Sequence, residues 1–381
     1  MALTVALLTV GLRRAQSVPP SAREPSAAGE VVTLLANNHL VLVPPGGRAP
    51  RWETTLAPAP DTSHGYGFLS TGHRLAWSTD RTTIYALPAA DWLGAERLMA
   101  VDHIGGRVLQ TIHLPEGTRY GGLAVGPVTG QVYLVGQQDK AISIAVVDPG
   151  RRQITAVWSG RDMHHWQPQG PVGGDFSVYQ AEISPDESRL FYTYHGGLLP
   201  KAGLDFVDLT GAGPRTCTPP SPDKACLTGL AGFAPYKGGV LLTSGIDAGD
   251  GLVYDYRLDG LLMRTFHLDL GAGFLNDFAL DLAGNRLYAV GSCGYVGGLS
   301  VLDLTSGKPR LLASTQAGQT KTVPCGQRLA LTWSGELVVG RVARLNASPY
   351  FGGTLLYIDV ATGAVLRTVT LSAEPVDVSA P

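Results

Sequence analysis

No GxSxG, HExxH, Walker A or GxGxxG motif occurs in the 381 residues. Nothing in the sequence therefore demands a serine hydrolase, a zinc protease or a nucleotide-phosphate enzyme. Cysteine is scarce, at four residues, and no CxxC pair or Cys/His spacing suggests a zinc site. A basic excess is missing too. The net charge of −2 argues against nucleic acid and anionic membranes as main partners. The N-terminal apolar run, Ala2 to Leu12, has only 11 residues, too few to span a bilayer as a helix. Helical periodicity of any length is absent.

Glycine (49) and proline (26) are abundant, and hydrophobic residues make up 44% of the chain. That composition suits many short strands joined by tight turns around a large core. Seven times a glycine turn links an "LxVxD"-like segment to a second run of β-formers, as in "LMAVDHIGGRVLQTIHL" and "LLYIDVATGAVLRTVTL". With Gly47, Gly106, Gly150, Gly211, Gly260, Gly307 and Gly363 as markers, the gaps are 59, 44, 61, 49, 47 and 56 residues. A repeat of this length with four β-runs per copy predicts an all-β fold, a seven-bladed β-propeller of four-stranded antiparallel blades. The first copy starts near Glu30 without an innermost strand, and the chain ends on "EPVDVSAP", a strand with no followers. The C-terminal strand is therefore expected to complete the first blade. Residues 30–381 form the propeller domain, preceded by a linker over 18–29 and a signal peptide over 1–17. The signal reading rests on the apolar run and the small-x-small site Ala15-Gln16-Ser17. It predicts an extracytoplasmic, periplasmic or secreted protein.

"GQVYLVGQQDKAISIAVVDPGRRQITAVW" and "GNRLYAVGSCGYVGGLSVLDLTSGK" resemble YVTN-type propeller repeats, also seen in the methylamine dehydrogenase heavy chain superfamily. These motifs specify turns and strand packing and carry no chemistry. The resemblance implies a seven-bladed ring. It also implies a non-catalytic subunit of the kind that supports a separate catalytic chain in a redox assembly.

Chemistry is then expected in the irregular loops of one face. The segment "SGRDMHHWQPQGPVGGDFSVYQ" gathers Met163, His164, His165, Trp166 and Asp175, types that bind metals, cations or aromatic ligands. His64 and His195 could join them from neighbouring blades. The alternative is an aromatic loop packed over the channel mouth. Cys217 and Cys226 bracket a Pro-rich loop that a disulfide could close, and a Cys293–Cys325 disulfide is expected because Cys293 follows one blade's second strand while Cys325 opens the next. Asp247, Asp250 and Asp255 read as an Asp-Gly turn rather than a Ca²⁺ loop. "FLNDFALDLAGNRLY" is similar to a stretch of calcium-dependent propeller lactonases. By that resemblance Asn276 would hold Ca²⁺, with Asp277 beside it and Glu182 as a further ligand; the alternative is a structural Asn-Asp turn at the strand entrance. Two functions follow: a binding or scaffold subunit gripping a protein or a small ligand at its loop-rich face, or a Ca²⁺-dependent hydrolase of lactonase type. Carboxylates and amides converging in the channel with histidine in reach would favour the hydrolase.

Overall fold

The computed structural model describes residues 29–60, 73–90, 94–138, 141–159, 176–196, 201–209, 215–216, 230–236, 238–244, 250–257, 261–270, 275–291, 298–314, 328–332, 334–342 and 353–381. Twenty-eight strands follow one another in it. The first three are β1 (Val31–Leu35), β2 (His39–Val43) and β3 (Trp52–Thr55). Blade 2 holds β4 (Leu75–Trp77), β5 (Thr83–Ala86), β6 (Arg97–Asp102) and β7 (Val108–His113). Blade 3 holds β8 (Arg119–Val125), β9 (Val132–Gln138), β10 (Ala141–Asp148) and β11 (Gln153–Ser159). Blade 4 holds β12 (Phe176–Ile183), β13 (Arg189–Gly196), β14 (Lys201–Asp208) and β15 (Arg215–Thr216). Blade 5 holds β16 (Leu230–Tyr236), β17 (Gly239–Ser244), β18 (Asp250–Arg257) and β19 (Leu262–Asp269). Blade 6 holds β20 (Leu275–Asp281), β21 (Arg286–Gly291), β22 (Gly298–Asp303) and β23 (Pro309–Ser314). Blade 7 holds β24 (Arg328–Leu331), β25 (Glu336–Val342), β26 (Gly353–Asp359) and β27 (Val365–Leu371), and the last strand is β28 (Pro375–Ser379).

Each sheet has four antiparallel strands, and β28 pairs with β1 as the innermost strand of blade 1. The ring therefore closes where the sequence predicts. Val32 faces Ser379, Thr33 faces Val378, and the Thr33 hydroxyl donates to the Asp377 carbonyl at 2.8 Å.

Burial explains the strand sequences. Middle strands such as β2 and β5 are apolar along nearly their whole length because a neighbouring blade covers each face. The outermost strands alternate, as in β7, because one face meets water. Apolar clusters sit between successive blades, for example Leu123, Leu134 and Leu98 between blades 2 and 3, and Val31, Val338 and Tyr357 between blades 7 and 1. The repeated aspartate has a local cause. Asp102, Asp148, Asp303 and Asp359 end third strands, and their carboxylates accept backbone N–H bonds from the turn that follows. Gly106, Gly307 and Gly363 take the left-handed conformation there, with φ of 67°, 70° and 75°. In the first turn Gly46, not Gly47, is left-handed, and in blade 3 Arg152 takes that role instead of Gly150.

Candidate functional site

The seven innermost strands enclose a central channel, and their registers put equivalent residues at matched heights. Opposite Tyr85, Tyr133, Phe191, Leu241, Tyr288, Val338 and Val32 of the second strands stand Ala76, Ala124, Glu182, Ala234, Ala279, Ala330 and Ser379. Glu182 is the one ionisable member of this ring. Two residues earlier stand Arg74, Gly122, Gln180, Gly232, Asp277, Arg328 and Asp377, a second ring that is largely polar. A β-bulge just before this level recurs in β8, β12, β16, β20 and β28. Asn276 is the extra residue of the bulge in β20, between Leu275 and Asp277.

Side chains of the polar ring stitch four pairs of neighbouring blades together. Gln180 donates to the Phe233 carbonyl at 2.9 Å, and Arg328 donates through Nε to the Val376 carbonyl at 2.7 Å. Asp277 accepts from Phe278 N at 2.8 Å and, across the blade boundary, from Leu329 N at 2.9 Å. Asp377 accepts from its neighbour Val378 N at 2.9 Å, and from Arg74 N and Leu75 N of blade 2 at 2.6 and 2.8 Å. Where the ring has Gly122, an added Cβ would lie 2.8 Å from the Ala181 Cβ, so strands β8 and β12 touch directly.

His73, just before Arg74, reaches into this end of the channel. Its Nδ1 lies 3.5 Å from Asp377 Oδ1 and its Nε2 lies 3.9 Å from Asp277 Oδ1, with the side chain 23% exposed. Burial pulls the imidazole down, but the hydrogen bond it donates to Asp377 and the charges of Asp377, Asp277 and Glu182 prevail and hold it up at about 9. His73 is thus an imidazolium at neutral pH. Burial pushes the Glu182 carboxyl up against the pull of His73 and a Gln180 hydrogen bond. Asp277 is raised by burial as well, against His73, Arg328 and its two backbone donors. Burial also pushes Glu374, on the approach to β28, up to about 7 despite the Arg328 charge.

Below the polar ring lies a cavity of about 500 Å³. Its walls carry the alanine ring and the levels on either side of it, including Trp77, Phe233, Phe278 and Leu280, with His73, Gln180 and Glu182 at the polar end. Leu282, on the turn after β20, lines the far end and is exposed.

Of the sequence-derived candidates, Glu182 and Asp277 feel each other's charge at this channel end, and Asn276 precedes Asp277 in the bulge. His195 lies elsewhere in the sheet, in the second strand β13, paired with Ser177 and Ala202. His64, Met163, His164, His165, Trp166, Asp175, Asp247 and the four cysteines Cys217, Cys226, Cys293 and Cys325 lie outside the described residues, as do residues 1–28. Asp255 is a buried structural anion, bound by the Tyr236 hydroxyl at 2.6 Å and by Arg264 at 2.8 Å. Among the described residues no group of three or more His, Cys, Asp or Glu has the arrangement of a metal site. No helix there is long and apolar enough to cross a membrane. Sequence reasoning missed His73, Arg74, Gln180, Arg328 and Asp377. Their signal is the segment series "HRLAW", "GGLAV", "YQAEI", "AGFAP", "NDFAL", "QRLAL" and "VDVSA", which aligns the two rings without a structure.

Fold and channel together define a seven-bladed β-propeller with a polar seam at one end of its central cavity. No protein-family model and no curated sequence matches the chain. Among solved structures it is similar to a candidate 6-phosphogluconolactonase from Bacteroides fragilis, at 15% identity over 94% of this chain and 99% of that one, with a TM-score of 0.61. A second candidate 6-phosphogluconolactonase, from Bacteroides uniformis, aligns at 14% identity over 92% and 98%, TM-score 0.59. Hydrazine synthase from Kuenenia stuttgartiensis aligns at 13% identity over 81% and 89%, TM-score 0.54. At such identities the likeness is one of fold.

Proposed function

We propose that this chain is an exported binding propeller whose central cavity seats a small ligand, and that it serves as a non-catalytic subunit with a protein partner on its loop-rich face. One observation carries the reading. The channel carboxylates converge as a hydrolase would need, yet Asp277 and Asp377 have their oxygens engaged by backbone N–H groups of their own and the next blade. An imidazolium held between them cannot take up a proton, so His73 is a poor general base at neutral pH. The cluster fastens the ring, and the cavity beneath it is left for a ligand. Its volume falls within the roughly 300–1,000 Å³ of small-molecule sites. The N-terminal apolar run and the cysteine-bracketed loops support export. The YVTN-like repeats and the fold likeness to hydrazine synthase support a place in a redox assembly.

A lactonase-type hydrolase is the second reading. It is favoured by the shared fold of two candidate 6-phosphogluconolactonases and by the charge interaction of Glu182 with Asp277, which Asn276 precedes in the chain. Calorimetric titration with CaCl₂ separates the two. The binding reading expects no stoichiometric Ca²⁺ uptake and no turnover of 6-phosphogluconolactone. Uptake that Asn276→Ala abolishes, together with lactone hydrolysis, would replace it with the hydrolase. A screen of small organic molecules by thermal shift tests the cavity directly: Ala279→Leu, which fills the alanine ring, should erase any stabilisation seen in the parent protein.

A further inference from the structure

We propose that the cavity ligand is a small organic cation, an ammonium group on a compact apolar body, with Glu182 as its counter-ion; this rests on the channel-binding reading above. The alanine ring supplies the geometry. Six of its seven positions carry a methyl group or the Ser379 hydroxymethyl, so the channel is wide there, and Glu182 alone brings a carboxylate to that height. The lining side chains on either side are mostly aliphatic, Leu75, Leu123 and Leu329 among them, while Phe233 and Phe278 bury their rings in the cores between blades. A cation is favoured by this carboxylate, which would repel an anion at the same height.

Charge at the polar end points the same way. Among the described residues four carboxyl groups, Glu182, Asp277, Asp377 and Glu374, face three cations, His73, Arg74 and Arg328. The cations have partners on the seam side: His73 lies between Asp377 and Asp277, Arg328 binds the Val376 carbonyl, and Arg74 feels the Asp377 charge. Glu182 is the acid that also lines the cavity. One carboxylate on the cavity wall suits one positive charge. It does not suit Ca²⁺, which takes about six to eight oxygen ligands.

The test is isothermal titration of the full chain with phenethylamine and with its uncharged counterpart 2-phenylethanol. The variants are Glu182→Gln, Glu182→Asp and Ala279→Leu, each checked for an unchanged circular dichroism melt before titration. Phenethylamine should saturate the parent protein. It should lose roughly tenfold or more in affinity in Glu182→Gln, the loss expected for one charge-assisted contact in a buried site, and recover partly in Glu182→Asp. Binding of 2-phenylethanol should be weaker in the parent and unharmed by Glu182→Gln, and Ala279→Leu should bind neither probe. If both probes bind the parent equally, or Glu182→Gln keeps its amine affinity, the cation is wrong while the cavity reading stands. If CaCl₂ displaces phenethylamine stoichiometrically, the counter-ion role of Glu182 passes to a metal and the proposal falls. If neither probe binds, or Ala279→Leu binds both as the parent does, the cavity reading falls with it.

Discussion

His73 is held by charges from three other blades, and its proton is tied to folding. Its ordinary value of 6.5 is raised to about 9 in the folded chain. A base raised in this way contributes stability that is fully present below about pH 6.5 and is lost as pH rises through 9. Glu374 acts in a lower window with the same sign. It is an acid pushed from 4.5 up to about 7 by burial, so the folded state holds the proton longer than the unfolded chain and stability falls as pH climbs between those values. The melting temperature should therefore decline from pH 5 to pH 9. His73→Gln should flatten the upper part of that decline, and Glu374→Gln the lower part. Parallel melts of the three proteins at half-unit pH steps check this, and a His73→Gln profile that still falls between pH 7 and 9 would contradict the assignment. Glu182 and Asp277, also raised, steepen the decline on its acid side.

Strand-scale order in the channel comes from one repeated choice at the polar ring: a side chain that bridges to the next blade, or glycine, which lets the blades touch. Gly122 is the clearest case. A Cβ there would sit 2.8 Å from the Ala181 Cβ and 2.9 Å from the Ala181 N, and neither β8 nor β12 can yield without disturbing its bulge. Gly122→Ala should cost about 1–3 kcal/mol of stability through overpacking, read as a lower denaturation midpoint at unchanged slope. A neutral result would mean the two inner strands can slide apart. This level of the structure was only half legible from the sequence. Blade number and closure were legible because glycine turns and β-periodicity are local and recur along the chain. Glu182, Asn276 and Asp277 could be picked out because carboxylates and amides on innermost strands are visible one at a time. His73, Arg328 and Asp377 were not, because their meaning lies in a shared height around a ring, and residues about 50 to 300 apart in sequence reach that height only through strand register. Gly46 and Arg152 make the same point in the turns. A neighbouring residue can take the left-handed conformation, and the repeat pattern alone does not say which one.

At the scale of the whole molecule, every blade buries its apolar faces only against neighbours, so the ring is as strong as its closure. β28 carries that closure. It pairs with β1, packs Val378 into the cluster between blades 7 and 1 and Val376 into the cluster between blades 1 and 2. It also supplies Asp377 to the Arg74 and Leu75 amides. Two fully buried valines are worth about 1.5–3 kcal/mol each, and each buried N–H left without a partner costs about 1–3 kcal/mol. Together these approach the roughly 5–15 kcal/mol that holds a typical domain folded. A chain ending at Glu374 should therefore lose its cooperative melt and its near-ultraviolet dichroism, and be cut by protease at sites the parent protects. Asp377→Asn, which keeps the strand and one oxygen acceptor but removes the charge facing His73, should stay cooperative with a lowered midpoint. The contrast separates the strand from its carboxylate. If the truncated chain melts within a few degrees of the parent, the interblade cores alone hold the ring, and β28 only tidies its edge. If Asp377→Asn fails as completely as the truncation, the single buried charge, and not the strand pairing, is what closes the propeller.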